Sequence, residues 1–418
     1  MLIHSAAQIL TLAGGPQRGS DLGELGIFQD SAILIHGGRI VELGPVEELR
    51  AAYPDEEHID ATNCVVMPGF VDPHTHLIWA GDRAEEFELR LKGKTYLEIL
   101  AAGGGILSTV RATRAATPDS LLTDTRPRLN SMLRHGTTTA EAKTGYGLEI
   151  DSELRMLQAL ITLDEEGPLE LAITFLGAHA IAPEFKDNPQ GYTDHICEEM
   201  LPEVHAWWPA DRQLPFVDVF CETGAFNLDQ SRQILIKARH LGFPLKIHAD
   251  EFDNLGGAAL AAELQAVSAD HLVATSSDDI RVLAASDTVA IALPNTPFGL
   301  AEKHYTPATA ILEAGGILAL ATDLNPGTAW CENMQFVIAL ACRYMKLTPA
   351  QAIAAATINA AAAINRADRI GSLEPGKQAD VLILEIPHYQ HLGYRFGTNL
   401  VKTVIKKGEV VAGVSPQS

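Results

Sequence analysis

The chain is poor in positive charge and in cysteine, and it has no long hydrophobic run. Its 31 Lys and Arg residues stand against 53 Asp and Glu residues, which gives a formal net charge of -22 at pH 7. A surface of that sign repels nucleic-acid phosphates and anionic lipids, so we expect neither a nucleic-acid partner nor a membrane partner. No stretch reaches the roughly 18 to 20 apolar residues of a membrane-spanning helix. The N-terminus also lacks the pattern of a secretory signal.

The few cysteines indicate a reducing compartment. They are odd in number, widely spaced and without a Cys-x-x-Cys motif: Cys64, Cys197, Cys221, Cys331 and Cys342. This set is typical of reduced, buried thiols rather than of a disulfide framework or a structural zinc site. We therefore expect a cytoplasmic protein.

Both ends of the chain have the pattern of β-strands. Residues 32–36 and 39–43 are apolar runs separated by Gly37-Gly38, which predicts a hairpin. Residues 379–385 and 401–411 are again strand-like. The simplest interpretation is one small β-sandwich domain assembled from both ends. Its predicted parts are residues 1–66 and 368–418, with a large domain of residues 67–367 inserted between them.

The middle of the chain alternates between apolar runs and helix-like segments such as 152–165 and 229–241. Eight buried strands alternating with helices predict an α/β fold of the (β/α)8 barrel type, with a doubly wound open sheet as the alternative. Neither a Gly-x-Gly-x-x-Gly motif after a first strand nor a Walker A motif is present, so the usual nucleotide-binding motifs are missing. The eight runs are 70–76, 137–143, 171–179, 216–222, 245–250, 268–272, 288–294 and 317–323.

Histidines and an aspartate recur where these predicted strands end. The chemistry of a barrel gathers at the C-terminal ends of its strands. Any one such residue is more often structural than functional, but so many at one end favour a site. They are His74 and His76 on the first strand, His179 on the third, His248 on the fifth, His271 on the sixth and Asp323 on the eighth.

Four of these residues form a candidate set of metal ligands. His74 and His76 lie on the same side of an extended strand, because side chains alternate between its faces. With His248 and Asp323 they offer three nitrogens and a carboxylate, which suits a single Zn(II) or Fe(II) ion with room for a water. Because such an ion lowers the pKa of its water to about 7, the set predicts a hydrolase.

The remaining polar residues are candidates for proton transfer. His271 and Glu251 are not ligands in this scheme and are free to move protons or to hold a substrate nitrogen. Asp323 lies next to the expected water and can also accept its proton. The predicted catalytic residues are therefore Glu251, His271 and Asp323. Whether His271 or Asp323 takes the water's proton stays open.

Longer motifs surround these residues and carry a family resemblance. The segments are Phe-Val-Asp-Pro-His-Thr-His-Leu, Ala-Gly-Asp-Arg, Glu-Ala-Lys-Thr-Gly-Tyr-Gly, Phe-Leu-Gly-Ala-His, Lys-Ile-His-Ala-Asp-Glu and Ala-Thr-Asp-Leu-Asn-Pro-Gly-Thr, at 70–77, 80–83, 141–147, 175–179, 246–251 and 321–328. Along nearly its whole length the chain resembles the imidazolonepropionase family of the amidohydrolase superfamily, in its mononuclear form. The resemblance implies a TIM barrel of the amidohydrolase type and one divalent or trivalent metal ion, zinc or iron, per subunit. It also implies hydrolysis of the cyclic amide 4-imidazolone-5-propanoate to N-formimidoyl-L-glutamate in histidine degradation.

The resemblance further implies contacts to an anionic imidazolone substrate. Arg83 would supply the cation that an otherwise acidic protein needs for the propionate carboxylate. The other implied contacts are Tyr146, His179, Glu251, Asn325, Gly327 and Thr328. Structural roles stay open for three of these residues: a surface ion-pair network for Arg83, a turn for Tyr146 and a core position for His179.

Two further residues, Lys143 and Glu222, receive no role. A carbamylated lysine bridges two metals in binuclear relatives, but it comes from the fourth strand, whereas Lys143 falls on the second. Glu222, at the end of the predicted fourth strand, is the nearest candidate for a ligand of a second metal, but it is placed behind the ligand set. We therefore expect one metal ion.

Two other functions are compatible with parts of the pattern. A mononuclear deaminase acting on a nucleobase-like ring would have the same spacing as His248-Ala-Asp-Glu251, but Arg83 and the Tyr146 loop suit a carboxylate instead. A catalytically inactive scaffold would lack one or more metal ligands, and none of the four is missing. A homodimer is compatible with the resemblance, although the sequence indicates no interface.

Overall fold

The computed structural model describes residues 1–94, residue 98 and residues 103–413. At its centre lies a sheet of eight parallel strands in sequence order, which we number first to eighth. The strands are Phe70–Asp72, Thr137–Lys143, Glu170–Ala178, Phe216–Cys221, Lys246–Ala249, Ser268–His271, Val289–Ala292 and Leu318–Leu320. Each coincides with one of the apolar runs predicted from the sequence.

Contacts between the first and eighth strands close this sheet. Thr75 and Leu324 form a parallel bridge just beyond the two strands. The backbone N–H of His76 donates to the carbonyl of Leu324 over 2.9 Å, and that of Asp323 donates to the carbonyl of His74 over 3.1 Å. The prediction of a (β/α)8 barrel is confirmed, and the alternative of an open sheet is wrong.

Helices surround the barrel and bury one face against it. In Ile150–Glu166 the buried side chains include Met156, Leu160 and Leu163, at the three-to-four-residue spacing of an amphipathic helix. Leu228–His240 starts at a capping box in which Asn227 and Gln230 satisfy each other's backbone N–H. Among the described residues, the other helices of eight or more residues are Ala84–Leu91, Ile106–Ala115, Pro118–Arg134, Ser277–Ala284 and Met334–Tyr344.

Shorter helical segments fill the connections. The α-helical ones are Val46–Ala52, Pro189–His195, Leu201–Trp207, Gly257–Glu263, Asn295–Gly299, Ala308–Glu313, Pro349–Ala355, Ile358–Ala362 and His391–Tyr394. Gly19–Asp21 and Pro183–Phe185 are 3-10 turns, and Ile196–Met200 is a π-helical segment. Within the described ranges, no helix is both long enough and apolar enough to span a membrane.

Two further sheets form the small β domain. A four-stranded sheet contains Leu2–His4, Ser31–His36, Arg39–Pro45 and His58–Asp60. A six-stranded sheet joins both ends of the chain and contains Gln8–Leu10, Ile27–Phe28, Val65–Pro68, Val381–Leu384, Val401–Lys406 and Glu409–Gly413.

Side chains of the two sheets share one buried apolar cluster, to which Ile33, Val66 and Ile405 contribute. Apolar burial of this kind is what holds two sheets face to face. The predicted small domain built from both chain ends is thus confirmed, and so is the Gly37-Gly38 hairpin, whose strands pair antiparallel. The domain limits 1–66, 67–367 and 368–418 stay a prediction.

Candidate active site

A cavity of about 720 Å³ opens at the carboxyl ends of the barrel strands. Because each of these strands ends at this side, residues far apart in sequence meet here. His74 is completely buried beneath the cavity. The structure places every other residue predicted for the site in the cavity lining: His76, Arg83, Tyr146, His179, His248, Glu251, His271, Asp323, Asn325, Gly327 and Thr328.

The four predicted metal ligands converge on the floor of the cavity. Nε2 of His76 lies 3.2 Å from Nε2 of His248. Oδ1 of Asp323 lies 3.5 Å from Nε2 of both His74 and His76. Ligand atoms about 2.0 to 2.2 Å from a tetrahedral ion are separated from one another by about 3.3 to 3.6 Å. The spacing therefore fits one metal ion.

Two buried polar atoms without hydrogen-bond partners also support the fit of one metal ion. Nε2 of His74 and Oδ1 of Asp323 are buried and have no hydrogen-bond partner among the described residues. Buried polar atoms are rarely left unsatisfied, and each one costs about 1 to 3 kcal/mol. A metal ion between these atoms would satisfy both, so the residues present fit the group that this ligand set implies.

Two aspartates behind the ligands fix the orientation of the imidazoles. Nδ1 of His74 donates to Oδ2 of Asp270 over 2.6 Å. Nδ1 of His248 lies 2.9 Å from Oδ2 of Asp218. With the proton on Nδ1, the lone pair of Nε2 is directed to the cavity floor, which is the tautomer a metal ligand needs. Burial, reinforced by the nearby charge of Lys143, lowers the pKa of His74 well below its ordinary value and favours the neutral ring.

Sequence reasoning missed both aspartates. Asp218 stands in the apolar strand Phe216–Cys221, and Asp270 directly precedes the predicted residue His271. A carboxylate in the middle of an apolar strand is unusual unless it is paired, and this was the available signal. The partner itself was not readable, because His74 and Asp270 are 196 positions apart.

Lys143 belongs to the same layer as an ion-paired ammonium. Its Nζ donates to Oδ2 of Asp218 over 2.7 Å and to Oε1 of Glu141 over 2.8 Å. Burial disfavours the charged form, but Asp218, Glu141 and Asp270 outweigh it and raise the pKa of Lys143. Nζ of Lys246 lies 3.1 Å from the other oxygen of Glu141. Carbamylation needs a free amine, so this environment does not suit Lys143 as a bridge between two metals.

Arg83 faces the cavity from the segment after the first strand. Its Nε donates to Oγ1 of Thr109 over 2.9 Å, which holds the guanidinium in place. Glu86 does not pair with it but accepts from the N–H of Gly105 over 3.0 Å and from the hydroxyl of Ser108 over 2.9 Å. The alternative of a surface ion-pair network for Arg83 is therefore not what the described residues form.

Arg90 is a second cation of the cavity lining, and sequence reasoning missed it. Its Nη2 donates to the carbonyl of Gly327 over 3.0 Å. This bond joins the helix Ala84–Leu91 to the loop after the eighth strand. A helix position carries no sequence signal for such a long-range contact.

Tyr146 and His179 lie side by side on the cavity wall. The ring of His179 stacks on that of His76, with centroids 4.6 Å apart, and its Nδ1 donates to the carbonyl of Gly145 over 3.0 Å. Burial lowers the pKa of His179 to about 3, so its Nε2 is a neutral acceptor. Burial also raises the pKa of Tyr146, which leaves its phenol as a donor.

The loop that carries Tyr146 is organised by Glu153, another residue that sequence reasoning missed. The buried carboxylate of Glu153 accepts from the backbone N–H groups of Gly145, Gly147 and Leu148 over 2.8 to 3.1 Å. Three such bonds fix the backbone on both sides of the tyrosine. Tyr146 is thus held in a rigid loop and is not a residue of a free surface turn.

Glu251 and His271 are neighbours in the cavity lining, and their polar groups face each other. Oε2 of Glu251 lies 3.6 Å from Nδ1 of His271. Burial, followed by the neighbouring charges of Asp323 and Glu222, raises the pKa of Glu251 well above its ordinary value. Burial lowers the pKa of His271, and His248 adds to the effect. The pair can therefore exist as a neutral acid and a neutral base.

The loop after the eighth strand is internally hydrogen-bonded. Oδ1 of Asn325 accepts from the backbone N–H groups of Gly327 and Thr328, each over 2.8 Å. The amide of the same side chain donates to the carbonyl of Asp323 over 2.7 Å. The predicted donors thus lie at the cavity, and an incoming carboxylate would compete with the side-chain oxygen of Asn325 for them.

Three polar residues at or just beyond the carboxyl ends of the barrel strands have left-handed backbone. The φ angles are 54° at Asp250, 79° at His271 and 53° at Asp323. Residues other than glycine adopt this region at a cost of about 1 kcal/mol or more, and such residues cluster at functional sites. Here Asp250 directly follows the fifth strand, His271 ends the sixth and Asp323 lies three residues beyond the eighth, at the end of the barrel where the cavity opens.

Comparisons with known proteins agree with this geometry. Residues 230–411 and 57–98 match family models described as amidohydrolase family. Residues 32–55 match a model described as imidazolonepropionase-like composite domain, bacteria. The imidazolonepropionase of Herpetosiphon aurantiacus is 52% identical over 413 residues, which cover 98% of this chain and 96% of that protein. That of Chloroflexus aggregans is 50% identical over 418 residues, which cover 98% of each.

Solved structures share the fold at much lower identity. The 5-methylcytosine deaminase from Klebsiella pneumoniae, liganded with phosphonocytosine, superposes with a TM-score of 0.74 at 20% identity and covers 100% of this chain and 99% of its own. An adenosine deaminase from Xanthomonas campestris with bound zinc gives a TM-score of 0.70 at 20% identity and covers 99% and 92%. At this identity the similarity shows the fold alone.

The closed barrel, the cluster at its carboxyl end and the matching family models define an enzyme of the amidohydrolase class. At 50 to 52% identity over nearly the whole length, the chain belongs to the imidazolonepropionase family.

Proposed function

We propose that the chain hydrolyses the ring amide C–N bond of 4-imidazolone-5-propanoate and forms N-formimidoyl-L-glutamate, a step of histidine degradation. One observation carries the proposal beyond the class: the cavity combines a metal-ligand set on its floor with the guanidinium of Arg83 on its wall. A neutral nucleobase-like ring, the substrate of the alternative deaminase, would leave that guanidinium without a partner.

The floor of the cavity would hold the cofactor. His74, His76, His248 and Asp323 would bind one divalent or trivalent ion, zinc or iron, per subunit. When bound, such an ion lowers the pKa of a coordinated water to near neutrality.

The wall of the cavity would bind and orient the substrate. Because Nε of Arg83 is held by Thr109, the rest of the guanidinium is free to form a bidentate pair with the propionate. The phenol of Tyr146 would donate to the substrate, and Nε2 of His179 would accept from a ring N–H. These contacts would place the ring carbonyl over the floor of the cavity.

Proton transfer would fall to the residues around the reacting carbonyl. Oxygen of water adds to the ring carbonyl carbon, and its proton passes to His271 or Asp323. The ring C–N bond then breaks, and the departing nitrogen takes a proton from Glu251, whose raised pKa keeps the acid form available. Asn325, Gly327 and Thr328 would donate to the carboxylate that forms.

The test is a spectroscopic assay with freshly generated 4-imidazolone-5-propanoate and metal analysis of the same sample. We expect loss of ring absorbance above the spontaneous rate, abolished by a chelator, with about one metal ion per chain. No activity in a metal-replete sample would overturn the proposed substrate and direct the search to deaminase substrates.

We also propose a cytoplasmic location, a small anionic substrate and no nucleic-acid or membrane partner. The net charge of -22 and five free cysteines support this setting. A homodimer is the assembly proposed, and the mass measured by light scattering tests it.

A further inference from the structure

Glu222 has contacts that the proposed reaction does not use. It follows directly after the fourth strand, is 2% exposed and lines the cavity. Oε1 accepts from the backbone N–H of Thr223 over 2.7 Å and from that of Asp253 over 3.2 Å. Oε2 accepts from the N–H of Phe252 over 2.9 Å. One carboxylate thus joins the loops that follow the fourth and fifth strands.

The second of these loops carries Glu251. It leaves the fifth strand at Ala249 and enters no regular element before the helix Gly257–Glu263. Apolar burial does not hold its tip, since Phe252 is 58% exposed. Within the loop, the side chain of Asp250 binds the far part, where its Oδ1 accepts from Leu255 over 3.3 Å and from Gly257 over 3.2 Å, while its Oδ2 accepts from the hydroxyl of Thr275 over 2.9 Å.

We propose that Glu222 is a positioning residue that holds the backbone next to Glu251, so that the Glu251 carboxyl stays at the cavity opposite His271. Two of the three N–H groups bound by Glu222 belong to the two residues that directly follow Glu251. Their fixation limits how far the Glu251 backbone can shift or turn. An error of about 1 Å in the placement of a reacting group can cost about 100-fold in rate.

The chemistry of the Glu222 side chain supports this positioning role. It does not support the role of a ligand for a second metal ion, which the position at the end of the fourth strand suggests. Two carboxylate oxygens suit a set of three N–H donors, whereas a glutamine offers one acceptor oxygen and an amide that faces the other donors. The groups of described side chains whose atoms lie close enough together to hold a metal do not include Glu222. Glu222 is therefore assigned to the loop and not to a second ion.

A double-mutant cycle with Glu251 tests the inference, which rests on the proposed function for its kinetic readout. We expect Glu222→Ala to lower kcat about 10- to 100-fold, with metal content and KM little changed. In the Glu251→Gln background the same substitution should lower kcat less than about threefold, because the group it positions is already disabled. Equal losses in both backgrounds would overturn the inference.

Two further variants separate positioning from general damage. Glu222→Gln keeps one acceptor and should lie between wild type and Glu222→Ala, and it replaces that variant if Glu222→Ala does not fold. Asn254→Ala is the matched control, since Asn254 is in the same loop and binds Asp279 and Gly256 instead. We expect its kcat within about twofold of wild type. A loss equal to that of Glu222→Ala would indicate a loop effect without specific positioning and would contradict the proposal.

Amide hydrogen exchange gives a readout that needs no substrate. The amides of Phe252 and Asp253 should exchange faster in Glu222→Ala than in wild type or Asn254→Ala, because they lose their acceptor. Unchanged exchange would overturn the inference whatever the activity. If wild type does not act on the imidazolone, the proposed function fails, while exchange still decides whether Glu222 holds this backbone.

Discussion

Two clusters of buried charge differ in position: one lies next to the predicted metal ligands, and the other lies where the barrel meets the small β domain. The upper cluster, which consists of Lys143, Lys246, Glu141, Asp218 and Asp270, lies under the cavity. The lower cluster consists of Lys406, Glu170 and Asp380. Lys406 and Asp380 come from the small β domain, and Glu170 starts the third barrel strand.

The difference lies in where the hydrogen bonds end. In the lower cluster, Nζ of Lys406 contacts Glu170 over 2.6 Å and Asp380 over 2.7 Å, and Nζ of Lys407 lies 3.2 Å from the other oxygen of Glu170, so two cations face two carboxylates within the protein. In the upper cluster, Asp270 passes its bond to His74, whose other nitrogen has no partner among the described residues. Buried charge alone is therefore no mark of a functional site. A hydrogen-bond chain that ends at unsatisfied atoms indicates a ligand.

Loss of a predicted metal ligand next to the upper cluster should have the largest effect on activity. His248→Ala removes one of the predicted ligands, and we expect activity to fall at least about 1000-fold together with the bound metal, since several kcal/mol of stabilisation depend on the ion. Metal analysis and the imidazolone assay on the same sample measure both. His304→Ala, at an exposed histidine, is the control. Full metal occupancy in His248→Ala would remove His248 from the ligand set.

Disruption of the lower cluster should affect the stability of the fold instead of metal binding. Lys406→Met removes the cation of the buried Asp380 and leaves Glu170 with Lys407 alone, and we expect the free energy of unfolding to fall by about 3 to 5 kcal/mol. Denaturant unfolding measures this change. Metal content per folded chain should stay at the wild-type value, and a loss of metal would show that the two clusters are coupled.

Arg83 extends the contrast to the cavity wall. Arg126 is paired with Glu166 on the surface, whereas Arg83 is held by Thr109 and faces the cavity. Arg83→Ala should raise KM for the propionate substrate about 100-fold, because a bidentate charged pair is worth about 3 kcal/mol. Arg126→Ala is the control, and an imidazolone without the tail should be little affected. Equal effects on both substrates would remove Arg83 from the site.

A matched pair of isosteric changes compares the two clusters directly. Asp270→Asn weakens the acceptor behind His74 and should weaken metal binding about 10- to 100-fold. Asp380→Asn makes the same change in the lower cluster and should leave metal affinity unaltered. Competition with a chelating dye measures both affinities. If the two variants lose metal equally, the inferred difference between the upper and lower clusters is wrong.

The smallest expected effect is a pH dependence of the stability that the lower cluster provides. Burial would raise the pKa of Glu170, but Lys406 outweighs it and holds that pKa well below its ordinary value. A carboxyl with a depressed pKa in the folded state stabilises the fold above its unfolded pKa of about 4.3, and this contribution is lost as the pH falls. Between pH 7 and pH 4 we expect wild type to lose about 1 kcal/mol more than Glu170→Gln. Urea unfolding at several pH values measures this difference. If the free energy of unfolding falls equally with pH in wild type and Glu170→Gln, the loss does not originate from Glu170.

Local patterns in the sequence predicted the barrel and the histidines and aspartate near its strand ends, whereas the contacts to substrate, such as Arg83 and Tyr146, were implied by the family resemblance. Apolar runs alternate with helical segments, and His74, His248 and Asp323 lie at or near the ends of such runs. Residues that act through distant partners were missed. Asp218 and Asp270 are recognisable only once the fold brings their imidazole partners near, and Glu153 only once its loop is seen. Strand-end position is encoded locally, but the pairing of buried polar groups is encoded by the closed barrel.

The left-handed backbone at Asp250, His271 and Asp323 has a consequence for attempts to make the protein more heat-tolerant. Glycine would relax each of these positions but would delete the side chain that the position presents. Improvement therefore cannot come from an idealised geometry at this end of the barrel. Gains in melting temperature should be sought in the outer helices and the β-sandwich, where a stabilising substitution does not remove a side chain of the active site.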